Sequence, residues 1–398
     1  MNSRAKVIVV VSSTFLVLLL VLGSVMGKSA STDSPYHHLA VYTEVLSRIK
    51  SEYVEEPDLK SVTLGALNGL LESIDPFASY LNADQYKEYQ KNFDTYKGDV
   101  GLVLSKRFGY IGVVSAIPGS PAAKAGLTTG DILESIKGIA TRDMPLAYAE
   151  LLLRGLPGTT VDLMVLRRRP EPQKMTLTRA LPGPLPVQTK MLANDVGYVR
   201  AESLASGKVK EIAAAITELE KKGAKRFVLD LRQCATGTPE EGVALADLFL
   251  EKGLITYLQG QRVARKDFQA DASKPKFKEP LVILANRGTA GAAEVAAAAL
   301  QDDKRAELVG ERTYGDASQR KAISMDDGGA VILSVAKYYS PAGKAIQDTG
   351  AVPANLVAEA DVVAESDDDS DAAKPDNEPE HKAGEDLMLK KALELLAK

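Results

Sequence analysis

Apolar residues recur along the chain in three successive rhythms. From Val41 to Leu71, residues Val45, Leu46, Ile49, Leu64, Leu67, Leu70 and Leu71 fall at helical spacing, with Pro57-Asp58 as an interruption. Two short helices packed as a hairpin are predicted, ending at Asp75-Pro76, where proline biases the preceding residue away from helix. Between Gly98 and Leu181 the pattern shortens to β-branched runs, Ile111 to Val114 and Val161 to Leu166, separated by Pro118-Gly119-Ser120-Pro121 and Gly158-Thr159. That spacing predicts a small β-rich module with one or two helices, and Pro182-Gly183-Pro184 reads as a linker after it.

From Val196 onward strand and helix patterns alternate. Strands are predicted over Val196–Val199, Phe227–Leu231, Leu281–Leu284 and Val331–Val335; helices over Val209–Leu219, Glu240–Leu250 and the alanine-rich Ala290–Leu300. Such alternation argues for an α/β domain with helices packed on a sheet. Beyond Pro353 the chain turns acidic and poor in aliphatics, so it cannot offset the entropy of ordering and reads as a disordered linker. Leu387 to Leu396 can form a final amphipathic helix. The expected division is 1–28, an apolar leader; 36–95, a helical region; 96–182, the β module; 183–357, the α/β core; 358–384, the acidic linker; and 385–398, the last helix.

The leader changes the expected compartment. Arg4 and Lys6 precede an apolar run from Val7 to Val25 broken only by Ser12, Ser13, Thr14, Gly23 and Ser24. About 19 residues just span a bilayer core and exceed most signal-peptide apolar regions. Val25-Met26-Gly27 is a poor small-residue cleavage site, which favours an uncleaved anchor over a removed signal. The basic residues before it should stay in the cytoplasm, placing the bulk of the chain on the periplasmic or extracytoplasmic side of the cell envelope.

Composition narrows the chemistry. The formal charge is −4, but Asp361 to Asp386 hold eleven acidic and two basic side chains, leaving the rest at roughly +5. That is far from the basic stripe that a phosphate backbone requires, so nucleic acid is not expected as a partner. The single cysteine, Cys234, allows no intramolecular disulfide and no thiolate cluster. The three histidines, His37, His38 and His381, lie near the ends. A Ser-His-Asp triad, a Cys-His dyad and a histidine zinc site are thereby nearly excluded, and neither metal nor cofactor is expected.

The segment Gly98-Asp99-Val100-Gly101-Leu102-Val103, followed by Gly119-Ser120-Pro121-Ala122, Ala125-Gly126-Leu127 and Gly130-Asp131-Ile132-Leu133, resembles a PDZ domain in order and spacing. In such modules a glycine-containing loop offers backbone N–H groups to a peptide carboxylate, and the adjoining strand edge takes the peptide as an extra strand. Val100, Gly101, Leu102 and Val103 sit where that loop and strand would begin, so peptide or protein C-termini are the expected ligands.

Around this module, from about Leu39 to Val357, the chain resembles the carboxy-terminal processing (tail-specific) serine peptidases. The resemblance rests on Tyr53-Val54-Glu55, Ile74-Asp75-Pro76 with Ser79-Tyr80-Leu81, Leu153-Arg154-Gly155 and Leu229-Asp230-Leu231-Arg232. It continues through Asn286-Arg287-Gly288-Thr289-Ala290, Glu294 with Leu300-Gln301-Asp302, Gly310 to Gly315, and Tyr338-Tyr339-Ser340-Pro341. It implies an α/β fold: a mixed-sheet peptidase-like core with an inserted PDZ domain, an N-terminal helical hairpin and a membrane anchor. It also implies a serine nucleophile with a lysine base, a pairing that needs no histidine.

Carried onto this chain, the implied nucleophile position is Gly291, which has no side chain. The implied lysine position is Asp316, and the implied glutamine helper is Arg320. The oxyanion loop, Gly-Asn-Pro-Gly-Gly in the family, reads Gln233-Cys234-Ala235-Thr236-Gly237. Nucleophile, base, helper and loop have changed together, and losing nucleophile or base costs on the order of 10⁴ to 10⁶ in rate. Three substitutes come into view. Thr289 reads first as a helix N-cap, Cys234 lacks an activating histidine, and Ser318 with Lys321 falls in a polar turn. Asp302-Asp303 reads as a solvated helix end. The expectation is a proteolytically inactive, peptide-binding envelope scaffold or regulator; the alternatives are an active serine endopeptidase with a relocated nucleophile and a partner subunit for an active paralogue.

Overall fold

The computed structural model describes residues 35–358 and 385–397, apart from 93, 94, 96, 108, 168–170, 182, 184, 194 and 275. The apolar run from Val7 to Val25 and nearly all of the acidic linker lie outside these residues. Among the described residues no helix is long and apolar enough to cross a membrane.

Two helices open the chain, α1 over Pro35–Glu52 and α2 over Leu59–Ile74. On α1, Leu46 and Ile49 are half-buried, while Leu39 is 60% exposed and Val45 50% exposed. Helical periodicity identified the element. In the second half of α2, Asn68 and Leu71 are buried. Strand β1 (Ser79–Leu81) and helix α3 (Ala83–Asn92) follow.

The β-rich module is built from β2 (Leu102–Arg107), β3 (Tyr110–Ala116), α4 (Pro121–Lys124), β4 (Ile132–Ile136), β5 (Ile139–Ala140), α5 (Leu146–Leu153), β6 (Thr160–Leu166) and β7 (Gln173–Thr178). Its antiparallel order is β2-β3-β4-β6-β7, with β5 beside β4, so β2 is an edge. Alternate residues Val161, Leu163 and Val165 join Ile111, Val113, Leu133 and Ile136 in one apolar cluster, the half-buried pattern expected of a small sheet.

The α/β core comprises β8 (Gln188–Met191), β9 (Val196–Arg200), α6 (Lys208–Lys221), β10 (Arg226–Asp230), α7 (Pro239–Asp247), β11 (Leu254–Gln259), β12 (Lys266–Gln269), β13 (Leu281–Ala285), α8 (Ala292–Asp302), β14 (Ala306–Gly310), β15 (Ser318–Ser324), β16 (Ala330–Tyr339), β17 (Asn355–Leu356) and α9 (Leu387–Leu396). Its central sheet runs β17-β14-β13-β10-β9-β8, parallel except for β8. Both faces are covered, which explains the continuous apolar strands. Phe227, Leu229 and Leu231 face α6, α7 and α8, whereas Val228, Val282 and Leu284 face Met388, Ala392 and Leu396 of α9. A second sheet of order β1-β16-β11-β12, with β15 along β16, is antiparallel.

Two helix boundaries differ from the sequence pattern for identifiable reasons. Helix α7 stops at Asp247, not Leu250, because the Lys276 ammonium takes the main-chain carbonyl and a carboxylate oxygen of Asp247. Helix α8 starts at Ala292, not Ala290, because Gly291 holds φ 63°, ψ −119°, outside the helical region and unfavourable for a side chain.

Candidate active-site cleft

Three loops leave the C-terminal ends of parallel strands β10, β13 and β14, the position where open α/β sheets gather ligands. They carry Gln233 to Gly237, Asn286 to Gly291, and Glu311 to Asp316. Main-chain bonds lace them together: Ala290 N–H donates to Cys234 O at 3.0 Å and Tyr314 N–H to Thr289 O at 2.9 Å. The structure thus brings together all the positions singled out in these three segments. A Cβ built on Gly291 would meet only the main-chain oxygen of Asp316, at 3.6 Å. Positions 291 and 316 are therefore neighbours, and there is room for a side chain at 291.

The centre of this arrangement is Glu294, fully buried on the first turn of α8. Gly291 N–H donates to Oε2 at 2.9 Å, Asp316 N–H to Oε2 at 2.8 Å and Gly315 N–H to Oε1 at 2.6 Å; the Thr313 hydroxyl also donates to Oε1. Glu294 N–H returns a bond to Gly291 O at 3.1 Å, so the glutamate caps its own helix and ties down two loops. Burial pushes its carboxyl up to about 7, against the downward pull of those four bonds. In the sequence Glu294 stands only within a motif; its place three residues after the N-cap signals the cap, not the bonds to the loop after β14.

The Asp316 carboxylate pairs with the guanidinium of Arg320 on β15. Burial raises the Asp316 carboxyl and Arg320 opposes that rise. Arg320 lies 4.1 Å over the Phe77 ring, which meets Tyr314 edge-on at 5.6 Å, so the guanidinium is held by charge on one side and a π-face on the other. Asp316 and Arg320, the positions to which the resemblance assigns lysine and glutamine, thus form one bonded pair.

Of the substitute nucleophiles, none has an activating partner. The Thr289 hydroxyl donates to Leu231 O at 2.8 Å and accepts from Asn286 N–H at 3.1 Å; it braces the turn, and Gly291, not Thr289, occupies the N-cap position of α8. Cys234 is fully buried and its thiol is pushed well up, first by burial and then by Glu202 and Asp230, the opposite of thiolate activation. Ser318 lies on strand β15 instead of a turn, with its hydroxyl 2.9 Å from that of Ser334. Among the described residues no lysine ammonium is hydrogen-bonded to a serine or threonine hydroxyl.

Gln233 sits at φ 60°. Its side chain covers Gly288, where an added Cβ would lie 2.3 Å from Oε1, and Oε1 accepts a 2.9 Å bond from Ser115 of β3. This loop therefore reaches the β module. Gly237, at φ 147°, packs its α-carbon against Leu204 O. On the peptide edge, the Val100 side chain is buried in the module's core, while Leu102 and Val103 are half-buried on β2 beside α5. No group of three or more His, Cys, Asp or Glu suited to hold a metal occurs among the described residues.

The family models agree with this geometry: residues 195–356 match peptidase family S41 and residues 112–167 match the PDZ domain. The carboxy-terminal processing protease CtpA of Bacillus subtilis is 33% identical over 350 residues, covering 86% of this chain and 74% of that protein. The chain belongs to peptidase family S41. A carboxy-terminal-processing protease of Bartonella bacilliformis is 32% identical to this S41 chain over 359 residues, 87% and 81% of the two. Among solved structures, a photosystem II D1 C-terminal processing protease superposes with a TM-score of 0.65 at 27% identity, covering 80% of this S41 chain and 92% of that one.

Proposed function

We propose that this S41 chain is proteolytically inactive and captures peptide C-termini through its PDZ module, using the peptidase core as a scaffold or regulator at the cell envelope. The observation that carries the reading is the paired replacement at the cleft: a glycine at the nucleophile position, and at the lysine position a carboxylate already bonded to Arg320. Asp316, bonded to Arg320, carries no amine for the Ser-Lys pairing of the family, and Gly291 offers no hydroxyl for any base to activate. The apolar leader supports a place outside the cytoplasm, anchored by that segment, where an active paralogue or another envelope protein would be the partner. The test is incubation of the purified chain with a peptide carrying a free apolar C-terminus. Binding without cleavage is expected; cleavage that disappears on mutation of one named side chain would overturn the reading.

A second reading, an active endopeptidase with a relocated nucleophile, is favoured by the identity to chains named as proteases. A fluorophosphonate probe separates the two: covalent labelling of one residue supports activity, and an unlabelled chain supports the scaffold.

A further inference from the structure

The PDZ loop carries an anion of its own. Gly101 is held at φ 79°, and a Cβ there would lie 2.2 Å from Cβ of Ser120, so only glycine fits. Its N–H is one of the donors such a loop presents to a terminal carboxylate, yet it already donates to Asp99 Oδ1 at 2.5 Å. The main chain under Asp99 is clamped: its N–H donates to Ala180 O and its carbonyl accepts from Ala180 N–H, both at 2.9 Å. Gly98 and Gly155 exchange a second such pair at 2.9 and 3.0 Å. Asp99 therefore cannot leave by a small backbone shift.

Helix α5 carries a second carboxyl, Glu150. Glu150 is raised first by burial, then by Asp316 and Asp99, against Arg320 and Arg154. Arg320 is already paired with Asp316. A peptide carboxylate arriving at this loop would meet Asp99 and would have to displace it from the Gly101 amide.

We propose that Asp99 is a specificity-determining residue of the peptide edge, disfavouring a bare terminal carboxylate and favouring peptide ends in which an adjacent lysine or arginine offsets it. The inference rests on the peptide-capture reading above and names its ligand class. Like charges brought together at a binding edge select through repulsion, and an oppositely charged neighbour relieves it.

Asp99→Asn is the discriminating variant, because asparagine keeps an oxygen for the Gly101 N–H while removing the charge. Fluorescence anisotropy on the full chain would compare three labelled decapeptides. One is alanine-rich and ends in valine as a free acid, the second is the same peptide amidated, and the third carries arginine at the penultimate position. Native protein should bind the arginine peptide tightest. The variant should bind the neutral free acid about tenfold tighter than native does, leave the amide unchanged and lose most of the preference for arginine. Unchanged or weakened free-acid binding by the variant, with the amide still bound equally, overturns the role of Asp99 and leaves peptide capture standing. Absence of binding of any peptide to either protein overturns both.

Discussion

Two arginine–carboxylate clusters flank the central sheet and differ in what surrounds them. On one face, Arg232 meets the buried Asp230 at 2.6 Å and Asp386, the N-terminal cap of α9, at 2.8 Å. Arg232 is held charged: burial alone would lower it, but the bonds to the two aspartates outweigh that and raise it. At the cleft, Arg320 has one carboxylate partner and one aromatic face, with its side chain 31% exposed. The first cluster fastens a helix to the sheet. The second ties the loop after β14 to strand β15 and to Phe77. Burial and the number of partners, not the identity of the ion pair, separate the two clusters.

The largest effect expected from breaking this contrast is at the cleft. Arg320 carries only donors, so it cannot accept a bond from a neutral lysine amine and would repel a protonated one. Gly291→Ser with Asp316→Lys should thus be less active than the triple variant that adds Arg320→Gln, by on the order of tenfold to hundredfold. Turnover of an unstructured protein substrate, compared across native, double and triple variants, measures this. Equal activity of double and triple would show that Arg320 does not obstruct the restored pair.

At the buried cluster, Arg232→Ala leaves Asp230 without its charged partner, a loss of about 3–5 kcal/mol for a buried pair. Tyr198 still donates to Asp230 at 2.6 Å, which places the expected value at the lower end. Urea unfolding gives the number, and hydrogen exchange on α9 should rise with it, since Asp386 loses its bidentate anchor. Unchanged exchange on α9 would break the assigned fastening role.

Glu294 lies between these extremes, being buried yet part of the cleft. Glu294→Gln keeps one acceptor oxygen but turns an NH₂ toward two of the four donors, for a cost of about 1–3 kcal/mol. The pH dependence has a definite sign. Because its folded value is raised to about 7, the native state binds more protons than the unfolded state between the ordinary glutamate value and neutrality. Its contribution to stability is therefore present at low pH and lost as pH rises through that window. Unfolding free energies at several pH values between about 4.5 and 7 should converge for native and variant as pH rises. A constant gap between the two proteins would contradict that titration.

The sequence made the strands of the central sheet and the helix over 387–396 legible because their apolar runs are continuous or strictly periodic, and tertiary contacts only extended them. The resemblance to the S41 peptidases made Gly291, Asp316 and Arg320 readable as one site. Two features were not readable. Three of the four bonds to Glu294 come from donors 19 to 22 residues away, and local spacing cannot show them. The reach of Gln233 to Ser115 joins positions 118 apart, a distance at which no pattern within one element carries information.

The smallest expected effect concerns the cleft pair alone. Asp316→Asn removes the charge from Arg320 but keeps an oxygen that can accept from its guanidinium. Both side chains are partly exposed, 26% for Asp316 and 31% for Arg320, so water and salt screen the pair, and such pairs contribute about 0–1 kcal/mol. Phe77 continues to hold Arg320 from the other side, which lowers the cost further. A melting temperature within a few degrees of native is expected, with no recovery of cleavage because Gly291 still lacks a hydroxyl. A loss as large as that from Arg232→Ala would mean that the cleft pair is a structural anchor after all, and the contrast between the two clusters would fail.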